Sequence, residues 1–326
     1  MVRARSFALQ SATVIGVLVA VYAVLIVMKL AGNGQIFATQ QIASGIAIGA
    51  IYGAVALALV LIYRSTDVIN FAQGEMATFC VFISWSLISQ NGFPYWGAFV
   101  ATAVIGAGLG AILQKGVIAP VEGAPLLTLV IVTLGLFEAF NSLSTFIWQA
   151  QPKAYPTPFG AGNITVGSAS IGKSELGALA VMLIIMGLIY LFFSRTKLGL
   201  ASRAAAQNPL AARLCGVSVS RMLTLGWALA AAVGAAAGML VANKLTLDPN
   251  MMISVLLYAF AAAVLGGLDN PVGAVVGGFL IGIIQNLIVG SDVLKGIPNL
   301  VAFLVIILVL VLRPNGLLGR QTVKKV

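Results

Sequence analysis

The sequence predicts an all-α, polytopic transmembrane helical bundle of eight to ten crossings, with broken or half-length helices and an internal repeat. Three observations predict it. Hydrophobic residues make up 60% of the 326 positions and charged ones 8%, against about 25% charged in soluble domains. Apolar runs of about 16–28 residues recur from end to end, as membrane helices require; the shorter alternating segments of a barrel are not seen. The charges, net +10, gather at the two ends and in one internal stretch, 195–221. One membrane domain, 1–326, is therefore expected, with 195–221 as its cytoplasmic loop.

The expected spans are 7–30, 36–63, 71–90, 96–118, 124–149, 176–194, 222–243, 253–268, 271–290 and 297–312. Arg3 and Arg5 precede the first apolar run, Phe7–Met28. That run exceeds the roughly 7–15 residues of a signal core, and no small-x-small cleavage site follows, so it reads as a membrane helix. Stretch 195–221 holds Arg195, Lys197, Arg203, Arg213 and Arg221 and no acidic residue. At about 2.5–3.5 kcal/mol per mid-bilayer Arg or Lys, five would cost about 12–17 kcal/mol, so the stretch lies in water or headgroups. With Arg3 and Arg5 inside, it follows six crossings and is also inside, as the positive-inside rule asks. The tail carries Arg313, Arg320, Lys324 and Lys325, which places both termini in the cytoplasm. Ten crossings satisfy this if 253–290 crosses twice, eight if it dips in and returns.

Two spans look broken. Residues 253–268 are short for about 30 Å of hydrocarbon, and 71–90 begins among polar residues. On the outer side, Asn91-Gly-Phe-Pro-Tyr-Trp96 has the aromatics and turn residues of a membrane interface. Residues 150–175, with Pro152, Pro156 and Pro158, form the longest outer loop. An internal echo links Ile69-Asn-Phe-Ala-Gln-Gly-Glu75 with Gly266-Gly-Leu-Asp-Asn-Pro-Val-Gly273: each is a polar, glycine-bearing break before a short apolar helix. Paired breaks of this kind mark transport pathways near the midplane.

Composition also excludes functions. There is no histidine, the commonest general base and metal ligand. The two cysteines, Cys80 in an apolar run and Cys215 in the basic loop, suit neither a disulfide nor a metal site. The positive charge reports orientation and contact with membrane lipid rather than nucleic acid. Residues Gly167-Ser-Ala-Ser-Ile-Gly172-Lys173-Ser174 spell a Walker A pattern. That pattern needs a strand-to-helix turn in a soluble α/β domain, whereas here an apolar span follows directly, so no nucleotide site is expected.

Gly45, Gly49 and Gly53 recur every fourth residue and share one helix face, where bare backbones allow close helix packing. Gly106/Gly110, Gly234/Gly238, Gly273/Gly277 and Gly278/Gly282 repeat the spacing. Glu138, Asn141 and Thr145 also share a face, and a carboxylate this deep suits a bundle interior or a wet path; Gln285 and Asn286 raise the same question. Arg64, Asp67 and Glu75 cluster at the first break, where Asp67 is a candidate cap for the next helix. In the basic loop, Leu200–Leu214 has good helix propensity. Pro209 starts or kinks a helix near Asn208, and Gly216 is a stop. A short cytosolic helix between two spans is a lever that a partner can push.

The order Ile69–Glu75, then Gly199-Leu-Ala-Ser-Arg-Ala-Ala-Ala-Gln-Asn208, Ala211 and Gly216, then Leu265-Gly-Gly267 and Pro271-Val-Gly-Ala-Val-Val-Gly-Gly278 resembles the LivH-type permeases of branched-chain amino-acid ABC importers, over roughly 36–315. Two departures stand out: Asp67 where glycine is more usual, and Asp269-Asn270 in place of Gly-Ser before Pro271. The resemblance implies a periplasmic substrate-binding protein, a second, LivM-like permease subunit and two cytosolic ATPase subunits in the bacterial inner membrane. It maps ATPase coupling onto Arg203, Ala204, Asn208, Ala211 and Gly216. ATP is then used by the partner subunits, and this chain carries no cofactor, no metal and no catalytic residue. Asn70, Gln73, Glu75, Glu138 and Asn141 are the candidate path or gate residues. The alternative reading is an ion-coupled secondary transporter of small polar solutes. Leucine-type amino acids, urea and short amides are not separated at this level.

Overall fold

A computed structural model describes residues 34–66, 68–160, 162–166, 169–290, 298–313 and 315–319. The expected first span, Asp67 and the tail cations Arg320, Lys324 and Lys325 lie outside the described residues. Without water, a membrane segment must satisfy its backbone internally, and helices do so. The described helices are α1 Gly34–Thr66, α2 Gln73–Trp85, α3 Tyr95–Leu113, α4 Leu126–Trp148, α5 Lys173–Arg195, α6 Lys197–Gln207, α7 Pro209–Leu214, α8 Val219–Leu245, α9 Met251–Gly266, α10 Pro271–Val289 and α11 Pro298–Leu312. All but α6 and α7, which lie in the basic stretch 195–221, fall on the predicted spans to within a few residues at their ends. Six are long and apolar enough to cross a membrane, and α9 is a shorter apolar helix, as is the stretch Ala302–Leu312 within α11.

Local chemistry sets the boundaries. Pro94 and Pro125, both extended, precede α3 and α4. Thr196 caps α6, its hydroxyl accepting from the Gly199 amide at 2.9 Å. Asn270 caps α10, its Oδ1 accepting from the Val272 and Gly273 amides at 3.0 and 3.2 Å, with Pro271 in the first helical position. Such a cap and first-turn proline satisfy the donors a helix start leaves free. Helices α2 and α3 each end in a π turn, Ser86–Gln90 and Gln114–Ile118.

The expected outer loop 150–175 carries an antiparallel hairpin, β1 Asn163–Val166 and β2 Ala169–Gly172, with Asn163 opposite Gly172. The Walker-like residues Ala169–Gly172 are therefore hairpin strand, and Lys173 opens α5.

The chain divides into two compact units: Met1–Ala56, Phe159–Leu179 and Leu257–Val326 form one; Leu57–Pro158 and Ala180–Leu256 the other. In the first unit, α1 and α10 meet along glycine. A Cβ at Gly45 would stand 2.7 Å from the Ile283 Cα, and one at Gly49 2.9 Å from the Gly278 carbonyl. A Cβ at Gly278 would strike the Gly53 backbone, and one at Gly282 the Gly49 backbone. Tyr52 stacks on Tyr258 with ring centroids 5.1 Å apart, and the Asn286 amide donates to the Gln41 carbonyl at 2.8 Å. Gly266 and Gly273 bring the end of α9 against the start of α10, and residues 315–318 close over them: the Leu317 and Leu318 amides donate to the Leu265 and Gly266 carbonyls at 2.7 and 3.1 Å.

In the second unit, α2, α3, α4 and α8 share a core. Ala72, Met76, Leu113, Phe140 and Ala231 form its centre, with Phe79 packed against it. Phe82 stacks on Trp148 at 5.2 Å between centroids. The α8 face that enters this core is largely alanine and glycine, from Ala230 to Ala242, so neighbouring helices approach closely.

Candidate functional site

The first break builds a polar nest inside the second unit. At its entrance the Asn70 Oδ1 accepts from the Ala72 amide at 3.0 Å, and the Asn70 amide points to the Met76 sulfur. The helix α2 then starts at Gln73, with Ala72 at its cap position. Asn70 thereby stabilises the turn that leads into α2. The side chains of Asn70, Gln73 and Glu75 are all fully buried. The Gln73 Nε2 donates to the Ala230 carbonyl of α8 at 2.9 Å.

Glu75 turns the other way, toward α4. Its Oε2 accepts from the Asn141 Nδ2 at 3.3 Å. The same Nδ2 faces the Asn250 Oδ1 at 2.9 Å and the Pro249 carbonyl at 3.4 Å. The Asn250 backbone N–H in turn donates to the Asp248 carboxylate at 2.8 Å. Glu138 and Asp248 lie within electrostatic reach of Glu75. Glu138 and Asn250 are exposed on this chain, Asn141 and Asp248 half-buried. Glu75, Glu138 and Asn141 thus come together, while Gln73 faces α8 and Asn70 sits beside a separate small cavity with Thr66, Thr133 and Trp227. Thr145 is exposed on α4.

Sequence reasoning missed Asp248 and Asn250. Their signal was the polar run Thr246–Asn250 between two apolar helices. Gly74 faces α9, where a Cβ would meet the Leu256 side chain at 3.4 Å, an ordinary van der Waals contact. Among the described residues no three His, Cys, Asp or Glu converge closely enough to hold a metal ion.

The residues expected to couple to a motor lie in α6, α7 and the turn after them. Asn208 ends α6 and caps α7, its Oδ1 accepting from the Ala211 amide at 3.0 Å. Gly216 has φ +81°, a left-handed stop that favours glycine. Asn208, Ala211 and Gly216 are exposed, Arg203 and Ala204 half-buried. Leu210 and Leu214, one turn apart on α7, are also strongly exposed. Arg203 lines a cavity of about 30 Å³ with Arg64, Ser202 and Phe193, and its Nε is buried without a partner among the described residues.

Beyond the far end of α4, residues 149–158 are pinned down. Lys153 and Leu247 exchange backbone hydrogen bonds at 2.9 and 3.1 Å, flanked by Gln149 and Thr246 at φ +66° and +65°. The Tyr155 hydroxyl and Ser84 hydroxyl are 2.7 Å apart. Burial pushes the Tyr155 phenol up to about 12, partly offset by that contact, so the tether stays uncharged.

A family model described as "Branched-chain amino acid transport system / permease component" matches residues 41–312. The high-affinity branched-chain amino acid transport system permease protein BraD of Pseudomonas aeruginosa is 28% identical over 302 residues, covering 88% of this chain and 97% of BraD. LivH of Escherichia coli, of the same description, is 29% identical over 301 residues, with the same coverage. The autoinducer 2 import system permease protein LsrC of an Enterobacter species is 30% identical over 250 residues, 76% of this chain and 67% of LsrC.

Proposed function

This chain belongs to the family of branched-chain amino acid transport system permease components, and we propose that it is the membrane-spanning permease subunit of an ATP-driven importer of branched-chain or related amino acids. The observation that carries the proposal is the reach of the family match, 41–312, which takes in both helix breaks and the whole basic segment between α5 and α8. The chain supplies a path and a mechanical link. ATP is bound and hydrolysed by two cytosolic ATPase subunits, so this subunit carries no cofactor. A second, LivM-like permease completes the channel, and a periplasmic binding protein delivers the solute.

In this reading the chain sits in the bacterial inner membrane with both termini, and α6 and α7, in the cytoplasm. Arg203, Ala204, Asn208, Ala211 and Gly216 form or shape the surface the ATPase grips. The exposed Leu210 and Leu214 support this, since two leucines beside a cationic helix suit a protein contact better than open water. Asn70, Gln73, Glu75, Glu138 and Asn141 border the path or its gates. Gly45, Gly49 and Gly53 serve helix packing, and membrane lipid covers the exposed apolar faces of α3, α4 and α5 not taken by the second permease.

Reconstitution tests the proposal. Liposomes holding this chain, the second permease, both ATPases and the binding protein should accumulate leucine only with ATP inside. Gradient-driven uptake by this chain alone would instead identify an ion-coupled secondary transporter. Within the complex, Arg203→Glu should abolish ATP-driven uptake while leaving membrane insertion intact. Normal uptake by that variant would remove the coupling role.

A further inference from the structure

The nest around Glu75 is rich in acceptors and short of donors. The Asn141 amide group has two hydrogens, yet the Glu75 Oε2, the Asn250 Oδ1 and the Pro249 carbonyl all crowd its nitrogen at 2.9–3.4 Å. The Glu75 Oε1 has no hydrogen-bond partner among the described residues, although Glu75 has no exposed surface. A buried carboxylate oxygen without a donor is costly, because it has left water and received nothing in exchange. Two more carboxylates, Glu138 and Asp248, stand within electrostatic reach. A buried polar group left so in a native interior calls for an explanation, and a bound ligand is one that supplies both donors and charge.

What fits the deficit is a compact cation with several N–H donors. A metal ion does not fit, since the carboxylates do not converge on a common point. A primary ammonium carries three donors and one positive charge, and charge-assisted hydrogen bonds to carboxylate are among the strong ones. The exposed Asn250 and Glu138 give it a way in from the surface of this chain. We infer that Glu75, Asn141 and Asn250, aided by Glu138 and Asp248, form a transit site for the ammonium group of the amino acid being imported. The inference rests on the importer reading above and adds to it the chemical handle by which the path holds its solute. Three elements build the site: the first turn of α2, the middle of α4 and the link into α9.

The test uses the complete reconstituted transporter, with leucine uptake and binding-protein-stimulated ATP hydrolysis both measured. Glu75→Gln keeps the shape and the Asn141 contact but removes the charge. It should lower leucine uptake about ten- to a hundredfold, the range for losing a charged hydrogen bond, while stimulated ATP hydrolysis stays within about twofold. Glu75→Asp, which restores the charge, should recover most of the uptake. Uptake by Glu75→Gln within about twofold of wild type would overturn the site. So would equal loss of uptake, hydrolysis and detergent stability in both variants, the pattern of a purely structural carboxylate. Asp248→Asn, at a half-buried position, provides a second arm: it should lower uptake severalfold, and unchanged uptake would count against the site. If the wild-type complex imports no amino acid, the importer reading itself fails and the ammonium site falls with it.

Discussion

In the unit that ends with α10 and α11, glycine meets glycine. Gly49 and Gly53 of α1 lie on Gly278 and Gly282 of α10, backbone against backbone, and Gly266 lies on Gly273 in the same way. In the unit built on α2, α3, α4 and α8, glycine mostly meets side chains. Gly234 makes room for the Gln73 amide, Gly238 for a Val81 methyl and Gly106 for the Ala235 methyl and the Ala231 carbonyl. The two arrangements have different tolerances. A backbone cannot retreat without moving its whole helix, whereas a side-chain end can rotate away. The glycine-on-glycine seam therefore holds one rigid helix pair, while the glycine-on-side-chain seam creates space for side chains, the Gln73 amide among them.

The largest effect should come from Gly278→Ala. Its methyl would strike the Gly53 backbone, and overpacking of this kind costs about 3 kcal/mol. Denaturation in detergent should show that loss, and a loss below about 1 kcal/mol would mean the seam is looser than its geometry. Gly110→Ala sharpens the comparison from inside the other unit. Gly110, like Gly199, is backed by backbone in that unit, packed 2.5 Å by the same measure from the Trp227 carbonyl, and it should behave like Gly278 rather than like Gly106.

Gly234→Ala should cost less, about 1–2 kcal/mol, because it displaces the Gln73 amide from its hydrogen bond to Ala230 rather than a backbone. Adding Gln73→Ala should recover part of that loss, and a double-mutant cycle with no coupling would break the assignment. The smallest effect belongs to Gly135→Ala on α4, where an added methyl meets nothing within 4 Å. In the isolated chain it should be neutral or stabilise by about 0.5–1 kcal/mol through helix propensity. If the same change disrupts the assembled transporter on a sizing column, then α4 carries the contact to the second permease.

Much of the fold was legible because the bilayer leaves few options: a long apolar run must be a helix, and α4, α5 and α8 fall close to their expected spans. The division between α6 and α7 at Asn208 was legible for a local reason, since Pro209 can open a helix but not continue one. The hairpin Asn163–Gly172 was not, because eight short strand residues carry too little hydrophobic contrast to stand out. The π turns after α2 and α3 have no proline or glycine signal comparable to those at the helix starts. Glu75 and Asn141 announced themselves one at a time, as groups too polar for their depth. Their pairing did not, because it joins positions 66 residues apart. Asn250 escaped because Asp248-Pro-Asn reads as an ordinary turn.

The closing turn of residues 315–318 has a bearing on how the protein is made. The carbonyls of Leu265 and Gly266 find their donors in Leu317 and Leu318, which are synthesised only after α10 and α11. A chain that enters the bilayer N-terminus first therefore exposes these two carbonyls before the amides that will satisfy them exist. An unsatisfied carbonyl in hydrocarbon costs several kcal/mol. During biogenesis the end of α9 must wait at a hydrated depth, or under the cover of the insertion machinery, until the later segment arrives to lock it in place.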